Sequence, residues 1–176
     1  MGGHNKWSQI KRQKGANDAA KSRVWARLSR RITVESKRAG GERDAANVRS
    51  VVETARKENM PKDAIERAIA KGTTAEAGAL ESIIYEAYGP GGAAVIIETL
   101  TDNKNRTLQD LKAIFAKHDI ALAAPGSALW AFEKTADGYV PVTSISLSET
   151  DDAALMKILE LIDILDDVES LYTNAE

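Results

Sequence analysis

The 176-residue chain has no cysteine, so disulfides, a thiolate nucleophile and a cysteine-ligated zinc site are all excluded. Only two histidines occur, His4 and His118, in separate contexts, and no glycine-rich phosphate cradle is present. Nothing assembles into a recognisable catalytic constellation, and we expect a protein that is not an enzyme and takes no small-molecule substrate. The longest apolar runs, Ala93 to Ile97 among them, are five residues, far too short to span a bilayer. No apolar segment follows the basic residues at the start, which argues against a secretory signal. Asp163, Asp166 and Asp167 share one side of a helix, but no glycine-bearing calcium loop surrounds them. We therefore expect no metal and no cofactor. Gly2-Gly3-His4 could wrap Cu(II) if Met1 were removed, which we read as incidental.

Charge is what the sequence has in abundance, and it is unevenly placed. Residues 1–72 carry 18 Lys and Arg against 8 Asp and Glu, a net of +10; residues 73–176 carry 6 against 18, a net of −12. Such a split points to a polyanion partner for the first half and an orientation that keeps the second half away from it.

Residues 1–13 have no helical period and read as a mobile arm. In it Lys6, Lys11 and Arg12, with Lys14 just beyond, suit phosphates, and Trp7 suits stacking on a base. Packing of Trp7 against the helix behind it is the equally weighted alternative. Asn17 or Asp18 caps a helix to about Ala39. Val24, Trp25, Leu28 and Ile32 fall on one arc of it, and Arg23, Arg27, Arg30, Arg31, Lys37 and Arg38 on the opposite arc. Solvated faces usually mix signs; unrelieved like charge on this one points to an external anion. Asp44 caps a second helix with Val48, Val51, Val52 and Ala55 inward, and Pro61 starts a third with Ala64, Ile65, Ala68 and Ile69 inward, stopped by Gly72. Three amphipathic helices make a small bundle.

Residues 73–80 read as a linker, after which the apolar period shifts from 3.6 towards 2. We expect strands over 83–88, 93–100, 129–132, 139–147 and 168–172, and helices carrying Leu108, Leu111, Ile114 and Phe115 and then Leu155, Ile158, Leu159, Ile162 and Leu165. Ser148 with Asp151 resembles a capping box ahead of the last helix. The fold class is α+β: a three-helix bundle over 1–72, then a ferredoxin-like sandwich over 81–176 with an extra strand. Tyr85, Glu86, Tyr88 and the turn Gly89-Pro90-Gly91-Gly92 form a candidate docking surface, joined by Asn103, Lys104 and Arg106 at a helix N-terminus that suits a phosphate. A hairpin that needs positive φ, and an ordinary Asn103 cap, are the competing readings.

Two long stretches resemble one family. GGHNKWSQIKRQKGANDAAKSRVWARLSRRI is similar to the opening motif of the YebC family, and YEAYGPGGAAVIIETLTDNKNRT to its second hallmark. LMKILELIDILDDVESLYTN resembles its C-terminal helix and strand. Because the motif begins at residue 2, the resemblance implies that the arm belongs to the mature protein. It also implies a non-enzymatic, cytoplasmic regulator that binds nucleic acid. Members are labelled DNA-binding transcriptional regulators, while mitochondrial relatives activate translation and bacterial ones are implicated in helping ribosomes through difficult stretches. Relatives carry a third domain inserted in the second; here a turn near residues 135–138 stands in its place. The expected partners are DNA or ribosomal RNA, with ribosomal proteins as further neighbours, and the target we favour is RNA, because Arg and Lys on phosphates position a protein without reading bases.

Overall fold

The apolar periodicities of the sequence become helices and strands at nearly the expected places. The computed structural model describes Trp7 and residues 18–74, 80–136 and 138–176. Lys6, Lys11, Arg12, Lys14 and the Asn17 cap lie outside the described residues. The chain divides into two compact units, a helical one and an α/β one.

The helical unit holds α1 (Asp18–Arg38), α2 (Ala46–Lys57) and α3 (Lys62–Lys71). Leu28, Ile32, Val48, Val51, Val52, Ala55, Met60, Ile65, Ala68 and Ile69 make its core, with Val24 and Trp25 packed at the side. Burial of such side chains contributes roughly 1.5–3 kcal/mol each, which fixes these short helices where propensity alone would not. The indole N–H of Trp25 donates to the Glu58 carbonyl at 2.9 Å. Helix starts differ in detail from expectation: Ala45, not Asp44, is the N-cap of α2, and Pro61 is the N-cap of α3 rather than its first helical residue.

Gly72 ends α3, but not through a left-handed conformation, since its φ is −60°. Its role is close approach. A Cβ there would lie 2.5 Å from the Ser36 Cβ and 2.7 Å from the Thr33 carbonyl oxygen. The Ser36 hydroxyl donates to the Ile69 carbonyl at 2.7 Å and the Thr33 hydroxyl to the Ala68 carbonyl at 3.1 Å. Small polar residues on α1 thus satisfy the last carbonyls of α3, a C-terminal solution that periodicity does not reveal.

The α/β unit contains a three-stranded sheet in the order β1 (Glu81–Tyr88), β2 (Ala94–Thr101), β5 (Val168–Thr173). Strands β2 and β5 are antiparallel, with Val95 opposite Thr173 and Ile97 opposite Leu171. On one face lie α4 (Lys104–Ala116) and α5 (Glu149–Asp163): Val95, Ile97, Val168 and Leu171 pack with Leu111, Phe115, Leu155, Ile158, Leu159 and Ile162. Ser148 caps α5 as expected, accepting from the Asp151 N–H at 3.1 Å.

The α+β class holds, but a four-stranded ferredoxin-like sheet does not form. Strand β1, expected as an extra, pairs with β2 across a tight turn and takes the edge that an internal strand of that sandwich would occupy. The later strands are short, β3 (Phe132–Thr135) and β4 (Gly138–Pro141), and pair only with each other. Residues 129–131 form a 3₁₀ turn instead of strand. This hairpin lies over the second sheet face, where Ala94, Ile96 and Tyr172 meet Ala128, Ala131, Phe132 and Tyr139. The rings of Tyr139 and Tyr172 meet edge to face with centroids 5.3 Å apart. The sheet is therefore covered on both faces, by helices on one and by the hairpin on the other.

Candidate nucleic-acid interface

The basic arc of α1 is not uniformly open. Arg31, Lys37 and Arg38 are exposed and Arg23 is half-buried. Arg38 pairs with Glu35 at 2.9 Å, an exposed ion pair of the kind that contributes little and can exchange partners. Arg27 corrects the sequence reading: at 7% exposure it is buried, although it sits at the centre of the arc. The Arg30 guanidinium lies 3.5 Å from the Leu100 carbonyl, and the segment Leu100–Asn103 belongs to the helical unit. A helical wheel has no means of anticipating a segment that arrives from seventy residues away.

Trp7 is a second correction. It is 5% exposed and belongs to the apolar core of the α/β unit, with Ala87, Val95 and Ile97. Buried there, its ring is not offered to a base.

The helical unit carries a groove of mixed charge that the sequence reading missed. A groove of about 560 Å³ beside α2 and α3 is lined by Arg43, Arg49, Arg56 and Lys62, with Asp44, Glu53 and Glu66 among them. Arg43 pairs with Glu66. Arg49 and Arg56 are seven residues apart and therefore share one side of α2, a spacing that was available in the sequence.

The candidate docking residues on and next to β1 and α4 separate into two groups. Tyr85 sits beside α4, its hydroxyl 3.4 Å from the Lys104 carbonyl. Arg106 Nη2 donates to both carboxylate oxygens of Asp167, at 3.0 Å to Oδ1 and 2.9 Å to Oδ2, and the Thr107 hydroxyl donates to the same carboxylate at 2.7 Å. The Arg106 guanidinium is thus committed within the fold. Asn103 and Lys104 are exposed, and the Asn103 N–H donates to the Thr101 hydroxyl at 3.0 Å.

Burial, and secondly the negative charge of Asp167, raise the Tyr85 phenol above its ordinary value near 10.0. A raised folded-state value favours the neutral phenol in the native state, so its stabilisation is complete below about pH 10 and is lost as pH rises through the folded value. Tyr85→Phe should therefore gain stability relative to the parent above about pH 10, read from urea unfolding at pH 8 and at pH 10.5. Parallel behaviour of the two proteins would contradict this.

At the other end of β1, Gly89-Pro90-Gly91-Gly92 is a structural turn. Gly91 has φ 68°, and a Cβ on it would lie 2.5 Å from Leu147. Glu86 is the third correction: it is 3% exposed, not a docking group. Its carboxylate accepts from the backbone N–H groups of Gly126 at 2.5 Å, Ala128 at 2.7 Å and Leu129 at 3.0 Å. Tyr88 remains exposed and accepts a hydrogen bond from the Trp130 indole at 2.9 Å. Among the described residues there is no cluster of three or more His, Asp or Glu that could hold a metal ion, and no helix long and apolar enough to cross a membrane.

Residues 5–75 match the TACO1/YebC protein N-terminal domain, and residues 80–137 match the TACO1/YebC second and third domain. The second match ends in the turn between β3 and β4. A probable transcriptional regulatory protein from Fervidobacterium nodosum is 46% identical over 160 residues, covering 90% of this chain and 63% of that relative. One of the same description from Desulfotalea psychrophila is 46% identical over 157 residues, covering 88% of this chain and 63% of its own. The crystal structure of a conserved hypothetical protein from Aquifex aeolicus superposes with a TM-score of 0.81 at 25% identity, covering 90% of this chain and 91% of the other. The chain spans about 63% of the length of the curated relatives it matches. Matched across both its helical and its α/β parts, the chain belongs to the TACO1/YebC family.

Proposed function

We propose that the protein is a nucleic-acid-binding regulator of gene expression that holds phosphate backbone with its helical unit. The observation that carries this is the charge division: a net of +10 over residues 1–72, of which +6 lies in residues 18–72 that form the helices, against −12 over residues 73–176. Arg31, Lys37 and Arg38 on α1, with Arg49, Arg56 and Lys62 along the groove, are the described side chains in suitable positions. Lys6, Lys11, Arg12 and Lys14 of the N-terminal segment add to them. Arg27 and Trp7 are left out because both are buried. The function needs no catalysis and no cofactor: recognition rests on Coulomb attraction and on release of counterions from the polyanion.

Relatives are named for transcription, which speaks for DNA. The contact set speaks for structured RNA of the ribosome, because Lys and Arg on phosphates position a protein without specifying sequence. Crosslinking in cells followed by sequencing of the attached nucleic acid separates the two: ribosomal RNA supports the translation reading, and promoter DNA the other.

The interface itself is tested by salt dependence. Arg31→Ala, Lys37→Ala and Arg38→Ala together should weaken binding to duplex DNA or structured RNA. They should also reduce the log–log salt slope by about 3, near one per lost phosphate contact. These side chains are exposed, so the fold should be retained; circular dichroism checks that. An unchanged slope would remove α1 from the interface. A tight protein partner with a shallow slope would favour an adaptor role instead.

A further inference from the structure

We propose that the Tyr88–Trp130 surface of the α/β unit seats arginine side chains of a basic protein segment. Trp130 is 60% exposed, Tyr88 38% and Val142 58%, three of the large apolar side chains the described residues leave open. Tyr88 and Trp130 are joined, the Trp130 indole donating to the Tyr88 hydroxyl at 2.9 Å, and the backbone of Val142 is next to them, its N–H donating to the Ala131 carbonyl at 2.9 Å. The Tyr88 hydroxyl in turn donates to the Ser127 carbonyl. Each polar atom of the pair is used within the relay. What remains for a ligand is the flat face of an indole held in one orientation, so little side-chain freedom is lost when it is covered.

Charge selects the occupant. Glu86 lies on the same side of β1 as Tyr88, two residues before it, and carries its carboxylate beneath the loop that holds Trp130. Among the described residues its partners are three backbone N–H groups, and no cation neutralises it. The residues that make up the α/β unit include 15 acids against 10 bases, a net of −5. A negative field over an aromatic face attracts a cation and repels a phosphate chain, and a planar guanidinium stacks best on tryptophan. The occupant is therefore an Arg-bearing segment of another protein, not a nucleobase. This is independent of the phosphate interface proposed for the helical unit.

The test uses the full chain with an acetylated, amidated Arg-Gly-Arg-Gly-Arg peptide, and the same peptide with citrulline, which keeps the planar shape without the charge. The Trp130 indole N–H signal, assigned by its absence in Trp130→Ala, should move on titration with the arginine peptide. Calorimetry should give binding about fivefold weaker for Trp130→Ala and weaker again for the citrulline peptide. Equal arginine-peptide affinity for Trp130→Ala and the parent would overturn the proposal. So would an indole signal that ignores the peptide and responds to an eight-residue oligouridylate, which would make this a base-stacking surface.

Discussion

Glu86→Ala should lower the free energy of unfolding by about 3 kcal/mol, because it strands the N–H groups of Gly126, Ala128 and Leu129, each unsatisfied donor costing about 1–3 kcal/mol. Removing a buried charge relieves some desolvation, but three donors are left facing a cavity. Glu86→Gln should lie between the two proteins. One amide oxygen can still accept from Ala128 and Leu129, while its NH₂ group is set against the Gly126 donor. Urea unfolding of the three proteins supplies the ordering. A loss below about 1 kcal/mol for Glu86→Ala would mean that the loop 124–129 is held by other contacts.

Gly138→Ala is the second large effect, again about 3 kcal/mol. Gly138 opens β4 with φ 112°, a region that side chains avoid at a cost of about 1–2 kcal/mol. A Cβ there would also overlap the phenol of Tyr172, adding about 1–3 kcal/mol of overpacking. The Tyr172 ring has little room to yield, since it packs on Tyr139 and its hydroxyl donates to Glu98 at 3.1 Å. The two contributions separate in a double-mutant cycle: in a Tyr172→Leu background the overlap disappears and only the backbone cost should remain. Purely additive losses would show that the ring is not the obstacle. The pair matters for this chain's place in its family, because Gly138 immediately follows the point where the family match ends. A tight glycine turn seated on Tyr172 allows so short a hairpin to close and cover the second face of the sheet.

The stripes Val48-Val51-Val52-Ala55 and Leu155-Ile158-Leu159-Ile162 are legible because a helix repeats every 3.6 residues, so local spacing alone marks the buried side. The Ser148 cap is legible for the same local reason. The strands were less so. Spacing marks 132–141 as extended, but which strands pair is decided by what lies within reach. A tight turn joins β1 to β2, whose other edge takes β5 from far along the chain, and a short one joins β3 to β4, which pair with each other.

In the candidate sites the sequence identified residue types and missed their surroundings. Arg27 and Arg31 are four residues apart and equivalent on a helical wheel, yet one is buried and the other exposed. Glu86 and Tyr88 are neighbours on one side of a strand. One carboxylate is consumed by three backbone donors, while the aromatic ring stays open beside a tryptophan forty-two residues away.

By itself the sequence determined the helices, the α+β class and the opposition of a basic and an acidic half, since each follows from local periodicity or from counting charges. Only the tertiary structure decided which of those charges face solvent, where Trp7 packs and what covers the second sheet face. Burial depends on segments distant in the chain, and no local pattern encodes their arrival.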